Sequence, residues 1–226
     1  VASRKRSAAI TKALKTLEGR YGKKPKPPNW NLIDTLIFYI LYYDSGVTAA
    51  RRAFKLLRDD YVDLNEVRVS SLNEIRSSLK KASASETSAM QLRSALKQIF
   101  LCENDVSLEQ VAELTPEQAK RYFSKLDNIP AHTVDYMLLV KWNHPILPID
   151  KQIALICSRV GFVTRNSSIT TVQKSLMRDL KKDLFFDFFS LFLEHASKVC
   201  CKEPHCDRCI LKKQCKYGNT SKRKKK

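Results

Sequence analysis

The stretch from Arg121 to Gly161, RYFSKLDNIPAHTVDYMLLVKWNHPILPIDKQIALICSRVG, narrows the possible folds more than any other part of the chain. It reads as a helix, a short hairpin, a second helix, a proline loop and a third helix. Val134, Met137, Leu138 and Val140 fall near the i, i+3, i+4, i+7 spacing that gives a helix one apolar face. The loop with Pro145 and Pro148 delivers Asp150 to the start of Lys151–Ile156. There an aspartate side chain can cap unpaired backbone amides, and Gly161 supplies a natural stop. A hairpin that offers backbone to phosphate, followed by a carboxylate on a loop, is compatible with a nucleic-acid active site.

The remaining chain predicts helices throughout and no strand, so the fold class is all-α. Residues 4–20 place Ile10, Leu14, Leu17 and Tyr21 at helical spacing between lysines. GKKPKPP (22–28) breaks that helix, since proline cannot continue it. NLIDTLIFYILYY (31–43) is apolar nearly all round, which predicts a helix buried at the centre of a bundle, ending in a turn at Asp44-Ser45-Gly46. Further helices are expected at 47–59, 71–82, 86–102, 107–113, 169–182 and 184–200. Thr115-Pro116-Glu117-Gln118 opens another, with a threonine cap, proline at the first position and glutamine set for a capping box. Phe185, Phe186, Phe188, Phe189 and Phe192 are expected in the core.

The net charge of +18 favours a polyanionic partner, because lysines and arginines gain affinity by releasing counterions from nucleic acid. A membrane-surface protein would share that bulk number. No apolar run is long enough to span a bilayer and no secretory signal is visible, so an intracellular protein is expected. TSKRKKK (220–226) reads as a disordered basic tail that tethers electrostatically.

Five of the seven cysteines fall between Cys200 and Cys215. Such clustering in an intracellular chain points to metal binding rather than disulfides. Cys200 or Cys201, with Cys206, Cys209 and Cys215, supplies four thiolates, which suit tetrahedral zinc or an iron–sulfur cluster equally from spacing alone. Cys102 and Cys157 sit in apolar helical patterns and are expected in the core.

An all-helical chain, a helix–hairpin–helix, a Leu147-Pro148-Ile149-Asp150 loop and a terminal four-cysteine loop together resemble the endonuclease III superfamily of DNA glycosylases, the helix–hairpin–helix Gly/Pro-Asp family. The likeness covers nearly the whole chain. His195-Ala-Ser-Lys-Val-Cys200 is similar to the family's His-Gly-Arg-x-x-Cys lead-in, which favours Cys200 as first ligand. Five residues rather than the family's six then precede Cys206; the later spacings match. The resemblance implies a [4Fe–4S] cluster on Cys200, Cys206, Cys209 and Cys215, flanked by Lys202, Arg208, Lys212 and Lys213, of which Lys202 and Arg208 are expected on DNA. It also implies two helical parts, a six-helix barrel at 29–143 and a cluster domain at 1–28 with 144–219. The cleft between them is expected to hold His132 and Asp150. In the family the loop aspartate, here Asp150, is essential to catalysis on a nucleotide swung out of the duplex.

Three departures from the family pattern matter. Leu126-Asp127-Asn128-Ile129-Pro130-Ala131-His132-Thr133 replaces Leu-Pro-Gly-Val-Gly-x-Lys-Thr. Asn128 must take the left-handed position of the first glycine, which asparagine tolerates, while Pro130 removes one phosphate-binding amide. The hairpin backbone at Asn128, Ile129 and Ala131 is still expected on DNA, with Lys151 beside it. Second, His132 stands where bifunctional members carry the Schiff-base lysine. Histidine can position a water, protonate a leaving group or contact phosphate, or it can simply face solvent. A monofunctional glycosylase with weak or no lyase activity is therefore expected, with Lys151 an outside candidate for a relocated amine. Third, Tyr42-Tyr43-Asp44-Ser45-Gly46 replaces the family's Ser-Gln-Asn-Thr-Thr, so Tyr43 either stacks in the duplex or packs at a helix end. No residue of this helix matches the acid that adenine-removing members use. The expected function is hydrolysis of a damaged or mismatched base from duplex DNA by a monomeric protein. The alternative is a lesion- or structure-specific DNA-binding protein on the same fold, or a zinc-bearing DNA-binding module.

Overall fold

Side-chain caps start six of the helices of this computed structural model, which describes residues 2–220. Asn31, Asp63, Ser71, Thr115, Asp150 and Ser168 each accept a hydrogen bond from the amide three residues on. Each cap satisfies a donor that the helix leaves open and contributes about 1 kcal/mol. Ser71 with Glu74 and Thr115 with Gln118 form full capping boxes.

In chain order the helices are α1 Ala2–Tyr21, α2 Leu32–Asp60, α3 Leu64–Val69, α4 Leu72–Lys81, α5 Thr87–Glu103 and α6 Glu109–Ala112. They continue as α7 Pro116–Phe123, α8 Ala131–Lys141, α9 Lys151–Val160, α10 Ile169–Asp179, α11 Phe185–Lys198 and α12 Lys216–Thr220. Among the described residues there is no strand, and no helix is long and apolar enough to cross a membrane. The contacts divide the chain into two compact units, one of Pro27–His144 and one of the chain up to Lys26 together with everything from Pro145.

In the Pro27–His144 unit, the first part of α2 is buried from Leu32 to Leu41, as its all-round apolar sequence requires. It packs on α4, α5 and α8, while α3 lies on α5 and α7 on α8. Two expected helices, 31–43 and 47–59, run on as α2 across a kink at Gly46, whose φ of 76° suits glycine alone without strain. Arg58, beyond the kink, pairs with the buried carboxylate of Asp34 before it. Trp30 stacks on Phe54 at 5.0 Å and meets the edge of Phe38, which closes this end of the core.

In the other unit, α1 packs on α10 and α11, and α9 on α10, α11 and α12. Ile10, Leu14 and Leu17 are buried as their spacing requires, and so are all five phenylalanines of α11 named above. Arg6 of α1 pairs with the buried carboxylate of Asp179 on α10. Gly161 ends α9 at φ 98°, and a Cβ there would strike the Lys216 side chain.

The structure corrects several expectations. Cys102 is exposed, not core: the buried stripe of α5 ends at Ile99, and the cation of Arg68 covers Phe100 in the last turn rather than Cys102. α10 stops at Asp179, and α6 is a single turn. Thr220 closes α12 rather than opening a tail, and the rest of that basic tail, 221–226, lies outside the described residues. α3 was foreshadowed only by Asp63-x-x-Glu66, where Glu66 returns a bond to the Val62 amide.

Candidate active site and cysteine pocket

The hairpin between α7 and α8 hangs on α5. The Gln98 side-chain amide donates to the Asp127 carbonyl, and its Oε1 accepts from the Asp127 amide. Asn128 takes φ 63°, the left-handed conformation that the sequence demands of it, and its Nδ2 donates to Ser94 Oγ at 3.3 Å. Asn128 and Ala131 are exposed and Ile129 is half-buried. Pro130 sits at the cap of α8 without a side-chain bond, and its carbonyl accepts from the Thr133 amide at 2.9 Å and the Val134 amide at 3.4 Å.

His132, half-buried in that first turn, lies among tyrosines of the same unit. The Tyr39 hydroxyl meets its Nδ1 at 2.9 Å, and the Tyr43 ring stacks on it at 4.4 Å and 22°. Tyr39 stacks in turn on Tyr136 at 4.1 Å, and burial pushes the Tyr136 phenol well above its ordinary value. Tyr43 is thus seated against His132 in this structure. Neither Tyr39 nor Tyr136 stood out in sequence, because a tyrosine on an apolar helix looks like core.

Asp150 belongs to the other unit. It is only 2 % exposed, and its Oδ1 accepts from the Ile153 amide at 2.7 Å. Leu147 and Ile149 are buried on the same loop, and Gln173 of α10 fastens it by donating to the Leu147 carbonyl at 2.7 Å. The carboxylate is therefore held by backbone on a braced loop rather than on a mobile one. Lys151, Lys202 and Arg208 are all exposed in this unit.

Cys200, Cys206, Cys209 and Cys215 line one small pocket with Arg159, Val199, His205, Lys212, Tyr217 and Gly218. Cys201 is not on its wall; its thiol donates to the Glu203 carbonyl. Arg159 donates to the carbonyls of Cys200, Cys201 and Lys202 and approaches Cys200 Sγ at 3.5 Å. The Gly218 amide donates to Cys215 Sγ at 3.4 Å. Buried His195 meets Cys209 Sγ through Nε2 at 3.5 Å and the Tyr21 hydroxyl through Nδ1 at 3.0 Å. Burial pushes the His195 imidazole down to about 4 and the Cys209 thiol up to about 11. Among the described residues no group of three His, Cys, Asp or Glu side chains is placed to hold a single metal ion. Four thiols lining one pocket, with N–H groups of Arg159 and Gly218 aimed at two of them, nonetheless fit a polynuclear iron–sulfur group, whose sulfurs accept such bonds.

No family model matches the chain. Endonuclease III of Sulfolobus acidocaldarius is 23% identical over 190 residues, 83% of this chain and 82% of that protein. A solved non-covalent endonuclease III–DNA complex superimposes with a TM-score of 0.69 at 16% identity, covering 96% of this chain and 98% of that one. In sequence and in fold the chain is similar to the endonuclease III-like superfamily of DNA glycosylases. A thermostable thymine-DNA glycosylase shares this endonuclease III-like fold, with a TM-score of 0.65 at 14% identity over 97% of this chain and 100% of that one.

Proposed function

We propose that the protein is a base-excision DNA glycosylase that hydrolyses the N-glycosidic bond of a damaged or mismatched base, with little or no lyase activity. One observation carries the reading: Asp150 is fixed on a braced loop by the Ile153 amide, at the loop position where the superfamily keeps its catalytic aspartate. A base swung out of the duplex exposes its sugar. As the glycosidic bond breaks, positive charge grows on that sugar, and a preoriented carboxylate stabilises it or activates the attacking water, as carboxylates do in glycoside hydrolysis.

His132 supports the monofunctional half of the reading. An imidazole engaged by Tyr39 and stacked on Tyr43 is no amine, so it cannot form the Schiff base that begins strand scission. Asn128 restores the turn that a glycine would make, and the start of α8 at exposed Ala131 suits a DNA phosphate, with Lys151, Lys202 and Arg208 as further phosphate contacts. The cysteine pocket suits a [4Fe–4S] cluster on Cys200, Cys206, Cys209 and Cys215, which would hold the 200–215 loop in place. Zinc is the weaker reading, since it would need the thiolates gathered at about 2.3 Å from one point.

The test is a panel of modified-base duplexes incubated with purified protein, with and without alkali, and with borohydride. Base release that shows as strand breaks only after alkali supports the proposal; efficient borohydride capture through this chain overturns its monofunctional half. The near-complete burial of Asp150 favours a second reading, a lesion-binding protein without chemistry. DNA binding without base release from any member of the panel would establish that reading instead.

A further inference from the structure

The C-terminus of α1 reaches the cysteine loop through one histidine. Tyr21, the last residue of α1, places its hydroxyl 3.0 Å from His195 Nδ1, and His195 Nε2 lies 3.5 Å from Cys209 Sγ. His195 is 1 % exposed, so no water competes for either ring nitrogen. The contacts around Tyr21 hold it in place. Lys24 donates to the Tyr21 carbonyl at 2.6 Å and pairs with Glu194, one residue before His195. Lys198 pairs with the same carboxylate and lies over the Tyr21 ring at 5.5 Å.

From this geometry we infer that Tyr21 and His195 are positioning residues for the cluster: a hydrogen-bond relay, Tyr21 O–H to Nδ1 and Nε2–H to Cys209 Sγ, that tunes and protects the Cys209 thiolate. The inference rests on the reading of the pocket as an iron–sulfur site. Its direction follows from that reading. A thiolate bound to iron has no proton to give, so Nε2 must carry the hydrogen and Nδ1 must accept from the phenol. Donation into Nδ1 polarises the ring and strengthens its N–H toward sulfur, since hydrogen bonds in a chain reinforce one another. An N–H bond to a ligand sulfur withdraws electron density and raises the cluster's reduction potential, and such outer partners also hold the metal. Two residues 174 positions apart thereby tie the first helix of the chain to its last loop.

The experiment compares the full chain with Tyr21→Phe, which removes only the hydroxyl, and with His195→Gln, whose amide can still donate to sulfur. Iron and sulfide per chain and absorption around 400 nm are measured first, then midpoint potential and the rate of iron release to a chelator. Expected are wild-type iron content in Tyr21→Phe, a lower midpoint potential and iron release about tenfold faster, the usual scale for loss of an outer-shell partner. His195→Gln should keep part of the full chain's potential, because its amide still donates to sulfur. A loaded wild type whose potential and release rate are unchanged in Tyr21→Phe overturns the relay and leaves the cluster reading standing. A wild type that binds no iron overturns the cluster reading, and the relay falls with it.

Discussion

The two units differ most in charge. Residues 27–144 hold 14 lysines and arginines against 15 aspartates and glutamates, while the rest of the chain holds 27 against 8. The whole basic excess therefore lies in the unit with the cysteine pocket and in the tail beyond it. The near-neutral unit contributes shape instead: a hairpin pinned by Gln98 and a histidine seated among tyrosines. On the proposed function, the difference separates two tasks in binding DNA. Charge gives affinity that is indifferent to sequence, and fixed backbone gives register.

Asp150→Asn tests whether the basic unit does more than bind. Asparagine caps a helix about as well as aspartate, so melting temperature and DNA affinity should hold. Base release should fall by about 10² to 10⁴, the range for a positioned acid–base group. Unchanged release in a glycosylase assay removes Asp150 from the mechanism and breaks the division of labour drawn here. Cys209→Ser comes next in size. Most of the iron should be lost and the 200–220 segment should become the first site of limited proteolysis, while fragments of 27–144 survive; equal cleavage in both units would contradict the contrast.

A smaller effect addresses charge directly. Lys202→Ala and Arg208→Ala should each lower the slope of log affinity against log salt by about 0.9, the counterion released per phosphate contact. Lys55→Ala and Lys80→Ala, in the balanced unit, should leave the slope alone in the same fluorescence titration. The smallest change belongs to the hairpin. Asn128→Ala should destabilise by about 1 kcal/mol in denaturant melts, because alanine resists the left-handed conformation, while Asn128→Gly should be neutral or better.

Local features were legible in the sequence because local chemistry sets them. Thr115-Pro116 and Asp150 announced helix starts, Gly161 a stop, and Asn128 the one residue able to replace a glycine in the hairpin. The buried face of α1 and the aromatic core of α11 followed from spacing alone. Cys102 shows where that reasoning ends: its helical phase is inward, yet it is exposed while Phe100 and Glu103 of the same turn are half-buried, a fact no periodicity contains.

By itself, then, the sequence determined an all-helical chain, its caps and breaks, and a terminal loop of clustered cysteines, since each depends on neighbours within a few residues. Tertiary structure decided which thiols face one pocket, that Cys201 is not among them, and that Gln98, Tyr39, Arg159 and Tyr21 brace sites far from them along the chain. Those contacts join residues 29 to 174 positions apart. Only the packing of whole helices fixes such pairs, because no local rule links the phase of one helix to that of another.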